Sequence, residues 1–370
     1  MKAKKIVIIG GTRPEVIKLA AIYHESCKLF SQTKFWWSGQ HVSLAQGALD
    51  FFEITPDRTL KVFKKGQNSN LLTAKLLKSL DQGMEDDKPD VVIVQGDTTT
   101  ALAGALAAFH RRIPVAHVEA GLRSGDLSAP FPEEMNRRVI DRFAKWCFPP
   151  TKIAKEALKQ EGCRQLPAIT GNTGIDALHW AVAKVRKENY WPKGIRRVPA
   201  DGKLIISTSH RRENLGTSMT EMLQALADEV SEHADTYLIH AMHPNPEATK
   251  AAKIAFSNHR RIQLVKALDY PDFISLLDKA SVVVSDSGGI QEESPSFRLP
   301  ILITRELTER PEVLACGGQL IGQNPKKIKK YLKEALKKPP RKALGRLKAT
   351  PFGDGKAARR IMATIAKNIC

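Results

Sequence analysis

The chain opens with an apolar run over residues 5–9, breaks at Gly10-Gly11-Thr12-Arg13-Pro14-Glu15, and resumes with Ile17, Leu19, Ala20 and Ile22 at helical spacing. That order predicts strand, tight turn and helix. Further apolar runs at 35–37, 91–94 and 115–118 alternate with helical patterns at 71–80 and 99–109. A second series of runs occupies 204–206, 237–239, 262–265, 282–284 and 301–303, again with helical stretches between them. Alternation of this kind predicts βαβ units and parallel sheets. Between the two series, Tyr190-Trp191-Pro192-Lys193-Gly194, with Pro199 and Gly202 beyond, reads as a turn-rich connection. The expected fold is α/β, with two Rossmann-like doubly wound domains facing a cleft. The expected division is 1–175, 176–350 and a closing helix within 351–370 that packs back on the first domain. No period of 20–50 residues repeats, which argues against a solenoid.

Composition narrows the class. The 370 residues include 58 Lys or Arg and 39 Asp or Glu, a formal charge of +19. The surplus is concentrated late: 321–370 holds 15 basic and two acidic residues, so +13 of the +19 lies there. Within that segment Ile328, Leu332 and Leu336 recur every fourth residue. The pattern predicts a helix that hides this stripe and points its lysines at water, rather than a nucleic-acid or membrane surface. The five cysteines, Cys27, Cys147, Cys163, Cys316 and Cys370, form no CxxC pair and no zinc-type spacing, and are read as reduced thiols of a cytoplasmic protein. No stretch approaches the roughly 18–20 apolar residues that cross a bilayer, so membrane insertion is not expected.

Polar clusters follow the predicted strands, at the edge where doubly wound sheets bind ligands. They are 10–15, Gly96-Asp97-Thr98-Thr99-Thr100, 117–123, 207–216 and Ser285-Asp286-Ser287-Gly288-Gly289. Ser287, Gly288 and Gly289 open a helix, where unpaired amides attract a diphosphate, and Glu293 follows at a position suited to ribose hydroxyls. The same residues also read as an ordinary helix cap and a surface glutamate. Arg13 and Lys18 flank the first turn and suit phosphate. His210, beside Arg211 and Arg212, suits an oxyanion or a departing phosphate. His243-Pro244-Asn245-Pro246 is read as a structural turn. Asp97, Glu119 and Glu133 end three segments of one domain, and converging carboxyls can share protons. Each alone reads equally as a cap or salt bridge. Neither GxGxxG nor GxxxxGK[ST] occurs, which disfavours a nicotinamide cofactor and a P-loop triphosphatase.

Taken together, these residues resemble the non-hydrolysing UDP-N-acetylglucosamine 2-epimerases, which have a GT-B-like fold. The resemblance runs nearly end to end. It includes Gly11-Thr12-Arg13-Pro14-Glu15 with Lys18, Gly39-Gln40-His41, Gln95-Gly96-Asp97, 117–123, Pro132-Glu133-Glu134 with Asn136-Arg137, and Thr170-Gly171-Asn172. It continues through His210-Arg211-Arg212-Glu213-Asn214, Asp286-Ser287-Gly288-Gly289 with Gln291-Glu292-Glu293, Thr308-Glu309-Arg310-Pro311-Glu312 and 352–357. The resemblance implies interconversion of UDP-N-acetylglucosamine and UDP-N-acetylmannosamine without a cofactor, through elimination and re-addition of UDP. It implies proton transfer by Asp97, Glu119 and Glu133, with His210 stabilising UDP as it leaves. It implies substrate contacts from Arg13, Lys18, Arg137 and Arg310, phosphate binding at Ser287, Gly288 and Gly289, and ribose binding at Glu293. The 268–273 loop, from Leu268 to Phe273, would meet uracil through its backbone. A homodimer is the family expectation.

Gln40, His41 and Gln67 match an activator site that binds a second UDP-sugar in many bacterial members, but Ser43 and Gly66 stand where longer polar side chains are usual. Three other readings compete. A 2-epimerase of another sugar, such as a 2,3-diacetamido uronic acid, would need a further cation, for which Arg123 and Arg138 are the candidates. A GT-B glycosyltransferase would share the diphosphate site, and a non-catalytic sensor would make the acid set superfluous.

Overall fold

The computed structural model describes residues 4–39, 42–64, 66–163, 166–209, 217–242, 245–257, 259–338 and 347–369. Elements follow in the order β1 (Lys5–Gly10), α1 (Arg13–Leu29), β2 (Gln32–Trp37), α2 (Val42–Phe51), β3 (Arg58–Thr59), α3 (Ser69–Asp87), β4 (Val91–Gln95) and α4 (Thr99–His110). Next come β5 (Val115–Val118), α5 (Glu133–Phe143), β6 (Trp146–Phe148), α6 (Lys152–Gln160) and α7 (Thr173–Lys187). The second series is β7 (Lys203–Thr208), α8 (Thr217–Glu232), β8 (Thr236–Ala241), α9 (Pro246–Ala255), β9 (Ile262–Val265), α10 (Tyr270–Lys279), β10 (Val282–Ser285) and α11 (Gly288–Glu293). It closes with β11 (Ile301–Ile303), α12 (Glu312–Ala315), β12 (Gln319–Leu320) and α13 (Pro325–Leu336), and α14 (Ala357–Ile369) ends the chain.

Two compact units result: Met1–Ala177 with Pro351–Cys370, and Leu178–Thr350. Each contains one six-stranded sheet, ordered β3-β2-β1-β4-β5-β6 in the first and β12-β11-β10-β7-β8-β9 in the second. The described pairings are all parallel. Read from the opposite edge, the second order repeats the first, with β7 in the place of β1. Each sheet therefore reverses its winding beside its first strand, between β1 and β4 and between β7 and β10, where open α/β sheets take their ligands.

The central strands are apolar on both faces because helices cover both. Ile6, Val7, Ile8 and Ile9 are wholly buried, as are Val91 to Val94. In the second unit Leu204, Ile205 and Ile206 and Val282 to Val284 are buried in the same way. The stripe expected near the C-terminus is present: Ile328, Leu332 and Leu336 are buried on α13 while most of its lysines are exposed. Burying each such side chain stabilises the unit by about 1.5–3 kcal/mol. Among the described residues no helix is long and apolar enough to cross a membrane. The first and last strands of the sheets are short. β3 and β12 are two residues each, too short for a hydrophobic period to announce them, and β6 is three.

α14 belongs to the first unit and packs on α1. Its apolar face, Ala357, Ala358, Ile361, Met362 and Ile365, is buried. Its N-terminal amides are capped from α7: Asp176 accepts from Ala357 N at 3.1 Å and Ala358 N at 2.9 Å. Burial pushes the Asp176 carboxyl up from 3.8 to about 6, against the pull of those two amides. The folded chain thus holds a proton that the unfolded chain releases, and this group's contribution to stability falls as pH rises between those values. In urea denaturation from about pH 4 to about pH 6, wild type should lose stability more steeply than Asp176→Asn. Parallel slopes would remove Asp176 from the account.

Candidate functional site

In the first unit the chemistry gathers where β1, β4 and β5 end. β4 and β5 are neighbours, with Gln95 opposite Val118. Gln95 is a polar last residue on an otherwise apolar strand, and Glu119 follows Val118 directly. Glu119 has φ +64° and Gly96 φ +68°, so both strands leave the sheet through left-handed turns. Glycine takes that conformation freely, whereas glutamate does so at a cost of about 1–3 kcal/mol that the surroundings must offset.

The offset is a dense set of donors. Glu119 is 7% exposed. Its Oε1 accepts from Lys18 Nζ at 2.5 Å and from Asn172 Nδ2 at 3.1 Å, and its Oε2 accepts from Gln95 Nε2. Three segments thereby fix one carboxyl. Asp97 is held differently: Arg137 Nη2 lies 2.5 Å from its Oδ2, and Asn136 Nδ2 donates to its backbone carbonyl at 2.8 Å. Both partners are on α5, which starts at Glu133. Glu133 itself is partly exposed at the first position of that helix and has no ion-pair or hydrogen-bond partner among the described residues. It is the acid of the three with room to change its contacts.

Contacts between Thr98, Glu15 and the β1–α1 turn brace the turns. Thr98 caps α4, and its hydroxyl donates to Glu15 Oε1 at 2.7 Å. Glu15 also receives Gly11 N at 3.2 Å, and Thr12 N and Thr12 Oγ1 at 2.7 and 2.8 Å, so one buried carboxyl joins the β1–α1 and β4–α4 turns. Burial raises its pKa against those donors. Arg13 opens α1 at this corner and is partly buried. Sequence patterning does not mark Gln95 or Asn172 as partners of Glu119, or Glu15 as a partner of Thr98, since each pairing spans a long sequence separation. The available signal is a polar residue ending an apolar strand.

The second unit forms another cluster after β10. Ser287 stands before α11 and donates its backbone N–H to Ser285 Oγ at 3.0 Å. A Cβ at Gly288 would lie 2.7 Å from Arg310 Nη1, so the guanidinium rests directly on the glycine backbone. A Cβ at Gly289 would meet nothing within 4 Å. Arg310 is oriented by Glu292, with Nε to Oε1 at 2.5 Å, and by Glu309, with Nη1 to Oε2 at 3.0 Å. Glu293 accepts from Tyr270 Oη at 3.0 Å. Tyr270 opens α10 just beyond Leu268, so the segment after β9 is tied to the end of α11. That segment is not wholly loop: Phe273 lies in the first turn of α10, its N–H donating to Asp269 O at 3.0 Å. Asp269 before the helix and Pro271 at its start are the signals for that boundary.

His210, Gln40, His41 and the His243-Pro244 turn lie outside the described residues. Gln67 is described, and its Oε1 accepts from Lys75 Nζ at 3.2 Å. The two arginines considered for a uronate are already engaged. Arg123 pairs with Glu161 and Asp141, and Arg138 donates to Glu134 at 2.9 Å.

The chain is similar to known proteins over almost its whole length. Residues 28–366 match the family model for UDP-N-acetylglucosamine 2-epimerase. The Escherichia coli K12 UDP-N-acetylglucosamine 2-epimerase is 37% identical over 371 residues, covering 98% of this chain and 99% of that one. The Bacillus subtilis enzyme of the same name is 39% identical over 365 residues, covering 98% and 95%. Among solved structures, the Neisseria meningitidis UDP-GlcNAc 2-epimerase bound to UDP-GlcNAc superposes with a TM-score of 0.88 at 34% identity, covering 98% of this chain and all of that one. The Methanocaldococcus jannaschii enzyme in complex with UDP-GlcNAc and UDP gives 0.80 at 30% identity, covering 98% and 99%.

The Lys18–Glu119 pair has side chains only 15% and 6% exposed, so its attraction is weakly screened. A double-mutant cycle with Lys18→Met and Glu119→Gln, read by chemical denaturation, should give a coupling of about 1–3 kcal/mol. A coupling near zero would mean that the contact does not hold in solution.

Proposed function

The chain belongs to the UDP-N-acetylglucosamine 2-epimerase family, and from that membership we propose that it interconverts UDP-N-acetylglucosamine and UDP-N-acetylmannosamine by eliminating UDP and adding it back. The observation that carries this reading is the pair of acids at the ends of adjacent strands, Asp97 after β4 and Glu119 after β5, each fixed by a cation. Elimination needs a group that accepts the hydrogen at C2. That hydrogen is not beside a carbonyl, so its removal is coupled to departure of the anomeric diphosphate. The C2–H electron pair becomes the C1=C2 bond of 2-acetamidoglucal, the C1–O pair leaves on the β-phosphate, and the proton passes to a carboxylate.

Return reverses those bonds with the proton delivered to the opposite face of C2. Inversion therefore calls for proton-transfer groups on both faces, which is the role assigned to Asp97, Glu119 and Glu133 as a set. Lys18 and Arg137 would orient Glu119 and Asp97 and, with Arg13, touch the substrate. In the second unit, Ser287, Gly288 and Gly289 offer backbone amides to the diphosphate, Arg310 adds charge over the glycine, Glu293 receives the ribose, and Leu268 and Phe273 flank the uracil. His210 would stabilise the departing phosphate. The reaction is redox-neutral and uses no nicotinamide. The remaining assignments follow the family: domains 1–175 for the sugar and 176–350 for UDP with 351–370 returning to the first, a homodimer, and a cytoplasmic setting.

The decisive measurement is proton NMR of UDP-N-acetylglucosamine incubated with the protein in D2O. Deuterium at C2, appearing together with UDP-N-acetylmannosamine, supports the proposal; sugar transfer to an acceptor, or binding without exchange, overturns it. Asp97→Asn and Glu119→Gln should abolish exchange while leaving UDP affinity within about tenfold, because the nucleotide contacts are assigned elsewhere. Gly288→Ala, which drives a methyl group into the Arg310 guanidinium, should do the reverse, weakening UDP binding by at least about tenfold with the acid set intact.

A further inference from the structure

His117, on β5, is wholly buried, and the proposed chemistry does not use it. Its two ring nitrogens meet two acceptors. Nδ1 lies 2.6 Å from Asp141 Oδ1, and Nε2 lies 2.7 Å from the carbonyl oxygen of Gly96. A neutral imidazole carries one N–H and one lone pair. Whichever tautomer formed, that lone pair would point at an oxygen lone pair in a wholly buried site. The geometry is satisfied only if the histidine–aspartate pair holds one more proton than a neutral ring beside a carboxylate.

Where that proton resides follows from the other contacts of Asp141. Its Oδ2 accepts from Gly121 N at 3.1 Å and from Arg123 Nη2 at 2.8 Å. A guanidinium and an amide on one oxygen favour the ionised carboxylate, which leaves the proton on the ring. Charge also balances, since His117 and Arg123 face Asp141 and Glu161, with Arg123 Nε donating to Glu161 at 2.8 Å. Burial disfavours a charged ring, but the charge and hydrogen bond of Asp141 and the Gly96 carbonyl outweigh it, and the His117 pKa is raised. Asp141 stays below the usual carboxylate range despite its burial, held there chiefly by His117 and Arg123. Of the remaining groups around the ring, Asp97 adds a favourable charge. The Cys147 thiol, opposite His117 on β6, is pushed far above neutrality and stays uncharged.

We propose that His117 is a positioning residue held as an imidazolium, and that this buried cation aims the Gly96–Asp97 turn. Two successive carbonyls of the turn are pinned: Gly96 O by His117, and Asp97 O by Asn136 Nδ2 at 2.8 Å. Rotation of either peptide would swing the Asp97 carboxyl away from its place. The ring sits under the turn at a strand end, so its proton sets the direction of an acid it does not itself touch by a hydrogen bond.

The claim about catalysis rests on the epimerase reading, whereas the claim about charge does not, and two measurements separate them. With ring-¹⁵N histidine, long-range proton–nitrogen correlations on the whole protein should show both His117 nitrogens protonated from about pH 6 to about pH 9, far beyond an ordinary histidine. Loss of one ring proton in that interval in the folded protein overturns the proposal. Asp141→Asn removes the countercharge and leaves burial to oppose the charged ring, which should bring His117 into titration at or below the ordinary value of about 6.5 and so identify its signal. In the D2O assay, His117→Gln should lower kcat by about 100-fold, the cost of a misplaced catalytic group. KM should stay within about threefold. In Asp141→Asn, kcat should fall as pH rises through the new His117 pKa, a dependence that wild type lacks over the same range. A role in packing alone would lower activity equally at every pH, and that result would overturn the positioning role. If wild type shows no exchange at all, the epimerase reading fails while the NMR titration still decides the charge.

Discussion

The cost of taking a carboxyl group out of water governs the first unit. Glu119 is almost wholly buried, and a buried acid without donors destabilises a fold by several kcal/mol. Lys18 from α1, Gln95 from β4 and Asn172 from the segment before α7 all converge on it. These donors lie 101, 24 and 53 positions from Glu119 along the chain, so they can meet it only when β1, β4 and β5 have assembled in register. The same contacts hold the backbone of Glu119 in its left-handed turn. A demanding site and a well-determined one are thus the same object: the group that is expensive to bury is the one whose geometry is most tightly specified.

The two units apply one plan with different chemistry. Both sheets reverse winding beside their first strand, and both put polar clusters at the carboxyl ends of the strands flanking that reversal. In the first unit those ends carry side-chain acids braced by lysine, arginine and amides. In the second they carry serine and glycines, so bare backbone is offered at the start of α11, and a cation is supplied from a distant segment by Arg310. Carboxyls that must move protons need side chains at fixed places, whereas a diphosphate is best met by main-chain N–H groups that only small residues leave accessible. Gly288 shows the trade directly, since any side chain there would displace Arg310.

Much of this was legible in the residues before the structure. The central strands are continuous apolar runs because they are covered on both faces, and their ends were marked by abrupt polar clusters. The stripe of α13 was legible for the same reason, a period sustained over about two turns. What local pattern does not carry falls into two kinds. β3 and β12 are two residues long, so their pairing is dictated by the neighbouring strand rather than by their own composition. Partnerships such as His117 with Asp141, or Thr98 with Glu15, join residues 24 and 83 positions apart, and local pattern carries no information about them. The start of α10 is a different case. Asp269 and Pro271 are helix-start signals inside a segment that the family resemblance implies to be a loop, and the local signals prevail from Tyr270 onward.

The distribution of partners among the three acids bears on how a single site could invert a carbon. Removing a proton from one face and returning it to the other requires groups that keep their places while the sugar ring between them changes shape. Glu119 and Asp97 are clamped, one by three side chains and the other by Arg137 and a pinned backbone carbonyl. Glu133 is not: it begins a helix, is partly exposed, and has no partner among the described residues. A helix N-terminus favours a carboxylate through its dipole without fixing the side chain's rotamer. On the epimerase reading this asymmetry is useful. Two clamped acids would then define the faces, while the third would follow the sugar as C1 and C2 flatten in the glucal, and displacing that carboxyl would leave no buried charge uncompensated.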